Sequence, residues 1–67
     1  MADIEYLKKK IEDEGIKTSF LARKIGITLQ GFNYKLTGKR PFKLSEIAEL
    51  RKALRLSDKE TIDIFLS

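Results

Sequence analysis

Apolar residues recur at helical spacing along nearly the whole chain, in short segments that each end at a glycine or a cluster of turn residues. No stretch alternates long enough to suggest a strand. Ile4, Leu7 and Ile11 share one face of a first helix. Asp3 is its expected N-cap, and Gly15, after the charged turn Glu12-Asp13-Glu14, is its expected stop. Thr18 is expected to cap a short second helix carrying Phe20, Leu21, Ala22 and Ile25, which Gly26 ends with the left-handed backbone of a tight turn. Thr28 caps a third helix from Leu29 to about Leu36, stopped by the turn Thr37-Gly38-Lys39-Arg40-Pro41. A fourth runs from about Lys43 to Leu54 with Leu44, Ile47, Ala48 and Leu50 inward. Ser57 and Glu60 have capping-box spacing and open a fifth helix that buries Ile62 and Phe65, with Leu66 a further candidate. The pattern predicts an all-α fold, a compact bundle of five short helices. A chain of 67 residues leaves no room for a second domain, and no repeat, low-complexity tract or linker divides it, so residues 1–67 are read as a single domain.

Composition narrows the chemistry. Without Cys there is no disulfide scaffold, thiolate nucleophile or Cys-based zinc site. Without His the commonest general base and metal ligand is missing as well. Asp58 and Glu60 are the nearest thing to a carboxylate pair, and their place at a helix start marks them as capping charges. An enzyme is therefore not expected, nor a metal, a cofactor or a small-molecule substrate. The longest uncharged run, Ile25 to Tyr34, is too short to cross a bilayer, and the start MADIEYLKKK has no apolar stretch of signal-peptide type. The expectation is a cytoplasmic protein without a membrane partner. Its hydrophobic fraction of 42% is enough for a core, although a domain this small buries only about 60% of its unfolded surface.

The net charge of +4 is unevenly placed. Residues 1–17 and 44–67 each carry four basic and five acidic side chains. Residues 18–43 contain Arg23, Lys24, Lys35, Lys39, Arg40 and Lys43 and no acidic residue. Twenty-six residues without a carboxylate give one region a positive potential suited to a polyanion such as nucleic acid. Lys8, Lys9 and Lys10, by contrast, lie among acids and read as a solvated helix face.

The same window holds a structural motif. A short helix, a turn containing Gly26 and a second short helix, over about residues 18–37, describe a helix-turn-helix. Ala22 falls where the two helices come closest, Leu21 and Ile25 form the buried stripe of the first, and Ile27 plugs the corner. Phe32 and Leu36, at i and i+4, should anchor the second helix to the core. The opposite face then centres on Gln30 and Tyr34, with Gly31 beside them and Asn33 on the flank, able to reach the DNA backbone or only solvent. A Gln side chain gives and takes one hydrogen bond each, the pairing that reads adenine N6 and N7. Tyr34 can bond a phosphate or base edge or pack on a thymine methyl. Gly31 costs about 1 kcal/mol relative to Ala in a helix, a cost explained either by close backbone approach to DNA or by simple tolerance.

The segments Thr18-Ser19-Phe20-Leu21-Ala22, Ile25-Gly26-Ile27-Thr28 and Gly38-Lys39-Arg40-Pro41 resemble the helix-turn-helix of the phage repressor and Cro type, the Xre family. The order of one N-terminal helix, the motif and two further helices extends the likeness over nearly all of the chain. The resemblance implies a lambda-repressor-like DNA-binding domain whose second motif helix, 28–36, lies in the major groove of a double-stranded operator. It assigns base-reading positions to Thr28, Leu29, Gln30, Gly31, Asn33 and Tyr34. For Leu29 the geometry points the other way: it lies nearer Phe32 and Leu36, and the core is the favoured reading over the base-contacting position. Phosphate contacts are expected from Thr18 with the first amides of its helix, from Lys39, Arg40 and Lys43 after the second motif helix, and from Lys35. The chain departs from the family pattern at Lys35, where many members place an apolar anchor for which Leu36 is expected to substitute. The implied function is a transcriptional regulator, most simply a repressor that occludes a promoter as a homodimer on a near-palindromic site. Ile62, Ile64, Phe65 and Leu66 are the candidate dimer surface. The alternative reading is a protein-interaction module, such as an antitoxin or adaptor, holding an acidic partner.

Overall fold

A computed structural model describes residues 2–66. Helix α1 (Ile4–Glu14) begins where the Asp3 carboxylate accepts the Tyr6 amide at 3.1 Å, and it buries Leu7 and Ile11. Gly15 ends it in the left-handed conformation, its amide donating to the Glu12 carbonyl. Helix α2 (Thr18–Ile25) starts one residue earlier than the sequence suggests. Lys17 holds the cap position in an extended conformation, and its carbonyl accepts from the Phe20 and Leu21 amides. Thr18 is thus already helical and makes no capping bond. At Gly26, φ is +81°, a region costly for any residue with a Cβ, and the turn it makes returns the Ile27 amide to the Ala22 carbonyl at 3.0 Å.

Thr28 caps α3 (Leu29–Lys35), its hydroxyl accepting the Gly31 amide at 3.0 Å. Leu36 is the C-cap, and Thr37 fastens the following turn by donating its hydroxyl to the Tyr34 carbonyl at 2.6 Å. Helix α4 (Leu44–Leu54) ends at Arg55, a non-glycine residue with φ +54°. The expected capping box opens α5 (Asp58–Thr61): Ser57 Oγ accepts the Glu60 amide at 3.1 Å and Glu60 Oε1 accepts the Ser57 amide at 2.9 Å. From Ile62 to Leu66 the helix widens into a π-helical turn. The described residues are all helix and connection, a bundle of five helices.

Leu7, Leu21, Phe32, Leu50, Leu54 and Ile64 are the largest fully buried side chains. Three aromatic rings run through this core from the second motif helix to the chain's last turn. Phe32 meets Phe42 edge-on at 5.8 Å, and Phe42 meets Phe65 at 6.0 Å. Burial of both rings of such a pair adds about 0.5–1.5 kcal/mol beyond area alone.

Two helix faces differ from the sequence reading. On α4, Leu44 is 79% exposed and Ala48 is also exposed. The inward stripe is Glu46, Leu50 and Leu54, flanked by Ile47 and Ala53. A carboxylate occupies one of its i, i+4 positions, so counting apolar residues alone rotates the helix too far. At the chain's last turn Ile62 and Leu66 are exposed, whereas Ile64 and Phe65 are buried. The π-helical turn holds more residues than an α turn and shifts which side chains face inward. The four-residue dimer surface is therefore divided: Ile64 and Phe65 belong to the core and only Ile62 and Leu66 reach the surface.

Candidate nucleic-acid interface

Burial of Phe32 fixes the rotation of α3. Gln30, Asn33 and Tyr34 consequently lie outward and exposed, as the sequence suggests. Leu29, which the spacing favours as core, is instead 43% exposed and joins them. Gly31 is half-buried between the two faces. A Cβ on Gly31 would meet the Thr28 hydroxyl at 3.2 Å, tighter than ordinary contact. The residue without a side chain thus leaves room for the cap that starts the helix, a reason internal to the chain for its presence there. Thr28 Oγ1 is already engaged in that cap, although its second lone pair remains. Thr18 sits in the first turn of α2, half-buried, in a turn without any acidic side chain.

Lys35 is the clear correction. Expected among the phosphate holders, it is 6% exposed, and its Nζ donates to Glu46 Oε1 at 2.5 Å beneath the ring of Phe42. The reason is the rotation imposed by Phe32: position 35, three residues on, shares its inward face. Glu46 accepts from the Lys43 backbone amide as well, at 2.8 Å. Burial opposes ionisation of Glu46, but the hydrogen bonds from Lys35 and from the Lys43 amide, with the charges of both lysines, outweigh it and hold its carboxyl below the usual range. Neither Glu46 nor the central Phe42 stands out in the sequence as part of this region. A carboxylate recurring at i, i+4 with Leu50 and Leu54 is the one signal there that points to it.

The remaining cations of the acid-free window, Arg23, Lys24, Lys39, Arg40 and Lys43, are exposed, and no ion pair joins any of them to a described carboxylate. Most flank cations, by contrast, are paired. Lys8 pairs with Glu5, Lys9 with Asp13, and Lys10 with Glu14 and, at 2.8 Å, with Glu60. Arg51 pairs with Asp58, so with Lys10 on Glu60 both acids at the start of α5 have structural partners, and Lys59 pairs with Asp63 in the turn that follows. Arg40 lies over the Tyr34 ring, 5.5 Å from its centroid, and Lys24 over Phe20 at 5.7 Å. A cleft of about 410 Å³ separates α3 from the loop that follows it. Ile27, Gly31 and Tyr34 line one side, Arg40, Pro41 and Lys43 the other, and Lys35 and Glu46 lie at its base. The structure therefore brings Arg40 and Lys43 beside the exposed face of α3.

No helix among the described residues is long and apolar enough to cross a membrane, and no group of three metal-ligating side chains is assembled among them. Comparison with known protein families, with curated proteins and with solved structures finds no match to this chain.

Proposed function

We propose that this chain is a sequence-specific double-stranded DNA-binding regulator of the Xre and Cro type, acting as a repressor from a homodimer on a near-palindromic operator. In this reading α3 enters the major groove with Gln30 and Tyr34 toward base edges and Thr28, Leu29, Gly31 and Asn33 around them. Lys39, Arg40, Lys43 and the first turn of α2 with Thr18 hold phosphates on either side. One observation carries the reading: an exposed polar helix face lies beside Arg40 and Lys43, which form no ion pair with a described carboxylate, whereas the lysines of α1 are all paired. A positive cleft with free charges attracts a polyanion; paired charges of the same number do not.

The test compares two triple variants. Neutralising Lys39, Arg40 and Lys43 should weaken binding to every duplex by a similar factor, since phosphates have no sequence identity. Each phosphate held by a cation adds about −0.9 to the slope of log affinity against log salt, so releasing three phosphates from each half of a dimer flattens it by about 5 units. Neutralising Lys8, Lys9 and Lys10 removes the same formal charge and should change the slope far less. Equal effects would mean a diffuse charge attraction without a docked helix, and an acidic protein partner would then be the better account.

A further inference from the structure

Burying an ion pair is a poor way to stabilise a small core. Removing two charges from water offsets most of their attraction, and well-packed apolar residues often serve equally well or better. Lys35 and Glu46 nevertheless form such a pair, with side chains only 8% and 6% exposed. The arrangement is directional. A single oxygen, Glu46 Oε1, accepts from Lys35 Nζ at 2.5 Å and from the Lys43 amide at 2.8 Å. That oxygen joins α3, the end of the basic loop and the first turn of α4. Phe42 covers the lysine, its ring centroid 5.7 Å from Nζ. Phe32 sets which face of α3 turns inward, but an apolar contact at Lys35 would leave the fine angle of that face against the loop to packing alone, because hydrophobic burial has no preferred direction. Two hydrogen bonds to one atom set that angle.

We propose that the Lys35–Glu46 pair is a positioning device that fixes the rotation of α3 against the basic loop, so that base-reading side chains and phosphate-holding cations meet one duplex in a single register. This rests on the DNA-binding reading. Phosphate contacts set a protein's place on the duplex, and base contacts discriminate only if they are offered at a fixed offset from that place. A binding constellation tolerates errors of only about 0.5 Å or 10–20°. Loss of the pair therefore lowers discrimination between duplexes much more than it lowers affinity for DNA in general.

The experiment uses the double variant Lys35→Met/Glu46→Gln. Methionine keeps an unbranched chain, glutamine keeps the oxygen that accepts the Lys43 amide, and neither charge is left buried alone. The probes are the duplex most enriched by the parent from a randomised pool and the unselected pool itself, both measured well below the melting midpoints. The expected result is an unchanged salt slope on the pool and a selected-to-pool affinity ratio reduced about tenfold or more. A folded variant that keeps the parental ratio overturns the positioning role while leaving the DNA reading intact. So does one that loses affinity equally on both probes. If the double variant does not fold, Lys35→Leu/Glu46→Gln carries the same comparison, since it too leaves no charge buried alone and keeps the oxygen that accepts the Lys43 amide. A parent that enriches no sequence overturns the DNA reading and this inference together.

Discussion

Leu44 and Leu50 lie on one helix, yet the first is 79% exposed and the second fully buried. Truncating each to alanine isolates the effect of burial, because Leu and Ala both rank among the best helix formers and the change in propensity is small at either site. Leu50→Ala removes apolar atoms from the α4 stripe and leaves a cavity, at a cost of about 2–5 kcal/mol. Leu44→Ala gives up a side chain already in water and should stay within about 0.5 kcal/mol of the parent. At about 0.05–0.15 kcal/mol per residue, a domain of this size holds roughly 3–10 kcal/mol in total. The first substitution thus removes roughly a fifth or more of the fold's stability, and the second almost none. Urea titration followed by helical circular dichroism is the assay. With a slope of about 1 kcal/mol per molar, Leu50→Ala should bring the midpoint down by about 2 M or more, and a thermal scan should show a fall of at least about 10 °C. Leu44→Ala should leave both curves nearly in place. Equal losses, or a larger loss at Leu44, would mean that α4 presents its other side to the core. That result would also remove Glu46 from the interior and undo the account of Lys35.

Phe32→Ala deletes a fully buried ring together with its edge contact on Phe42, and should cost about 3–5 kcal/mol; a variant melting with the parent would contradict the inward assignment that orients α3. Gln30→Ala and Tyr34→Ala should leave melting unchanged but weaken a selected duplex by about 1–3 kcal/mol with little loss on unrelated DNA. Equal loss on both would take these residues out of base reading. Stability should also fall at both ends of the pH scale. Glu60 is held low chiefly by its hydrogen bond from Lys10, and Glu46 is held low despite its burial. Their contribution is fully present above the ordinary glutamate pKa of about 4.3 and is lost as pH drops through the lowered values. Lys10 is raised chiefly by its bond to Glu60, and Lys59 by its bond to Asp63. Their contribution is present below about 10.4 and is lost as pH climbs through the raised values. Urea midpoints measured from acid to alkali check this, and a midpoint that rises on acidification below pH ~4 would contradict the Glu46 and Glu60 assignments.

The helix boundaries are legible in the sequence because the chemistry that sets them is local. Asp3, Thr28 and the Ser57–Glu60 box each act across three residues, and Gly15 and Gly26 act at single positions. Even the misplaced cap, Thr18 for Lys17, is an error of one residue. What the chain does not announce is which side of a helix faces inward when a charged residue belongs there. Lys35 and Glu46 are eleven residues apart, and each looks like surface until the other is beside it. The chain's last turn misleads for a different reason, since a periodicity argument assumes α geometry and Ile62–Leu66 is wider. The candidate interface divides along the same line. Gln30, Asn33 and Tyr34 follow from the apolar anchor Phe32 opposite them, while the position of Leu29 and the loss of Lys35 from the surface need the packed fold.

The amide of Asp3 donates to the carbonyl of Ile64 at 2.5 Å, so the start of α1 is fastened to the π-helical turn. Most contacts in a small helical bundle are local in sequence and form quickly. This one joins residues 3 and 64, and the loop-closure entropy of joining such distant points must be met before the bond can form. The fold is thereby closed as a ring, with its first helix waiting on its last turn. A ribosome must release the chain through Ile64 before α1 can find its final partner. The same closure makes the two ends interdependent in the finished protein: fraying of the last turn frees the Asp3 amide at once, and with it the residue whose carboxylate begins the first helix.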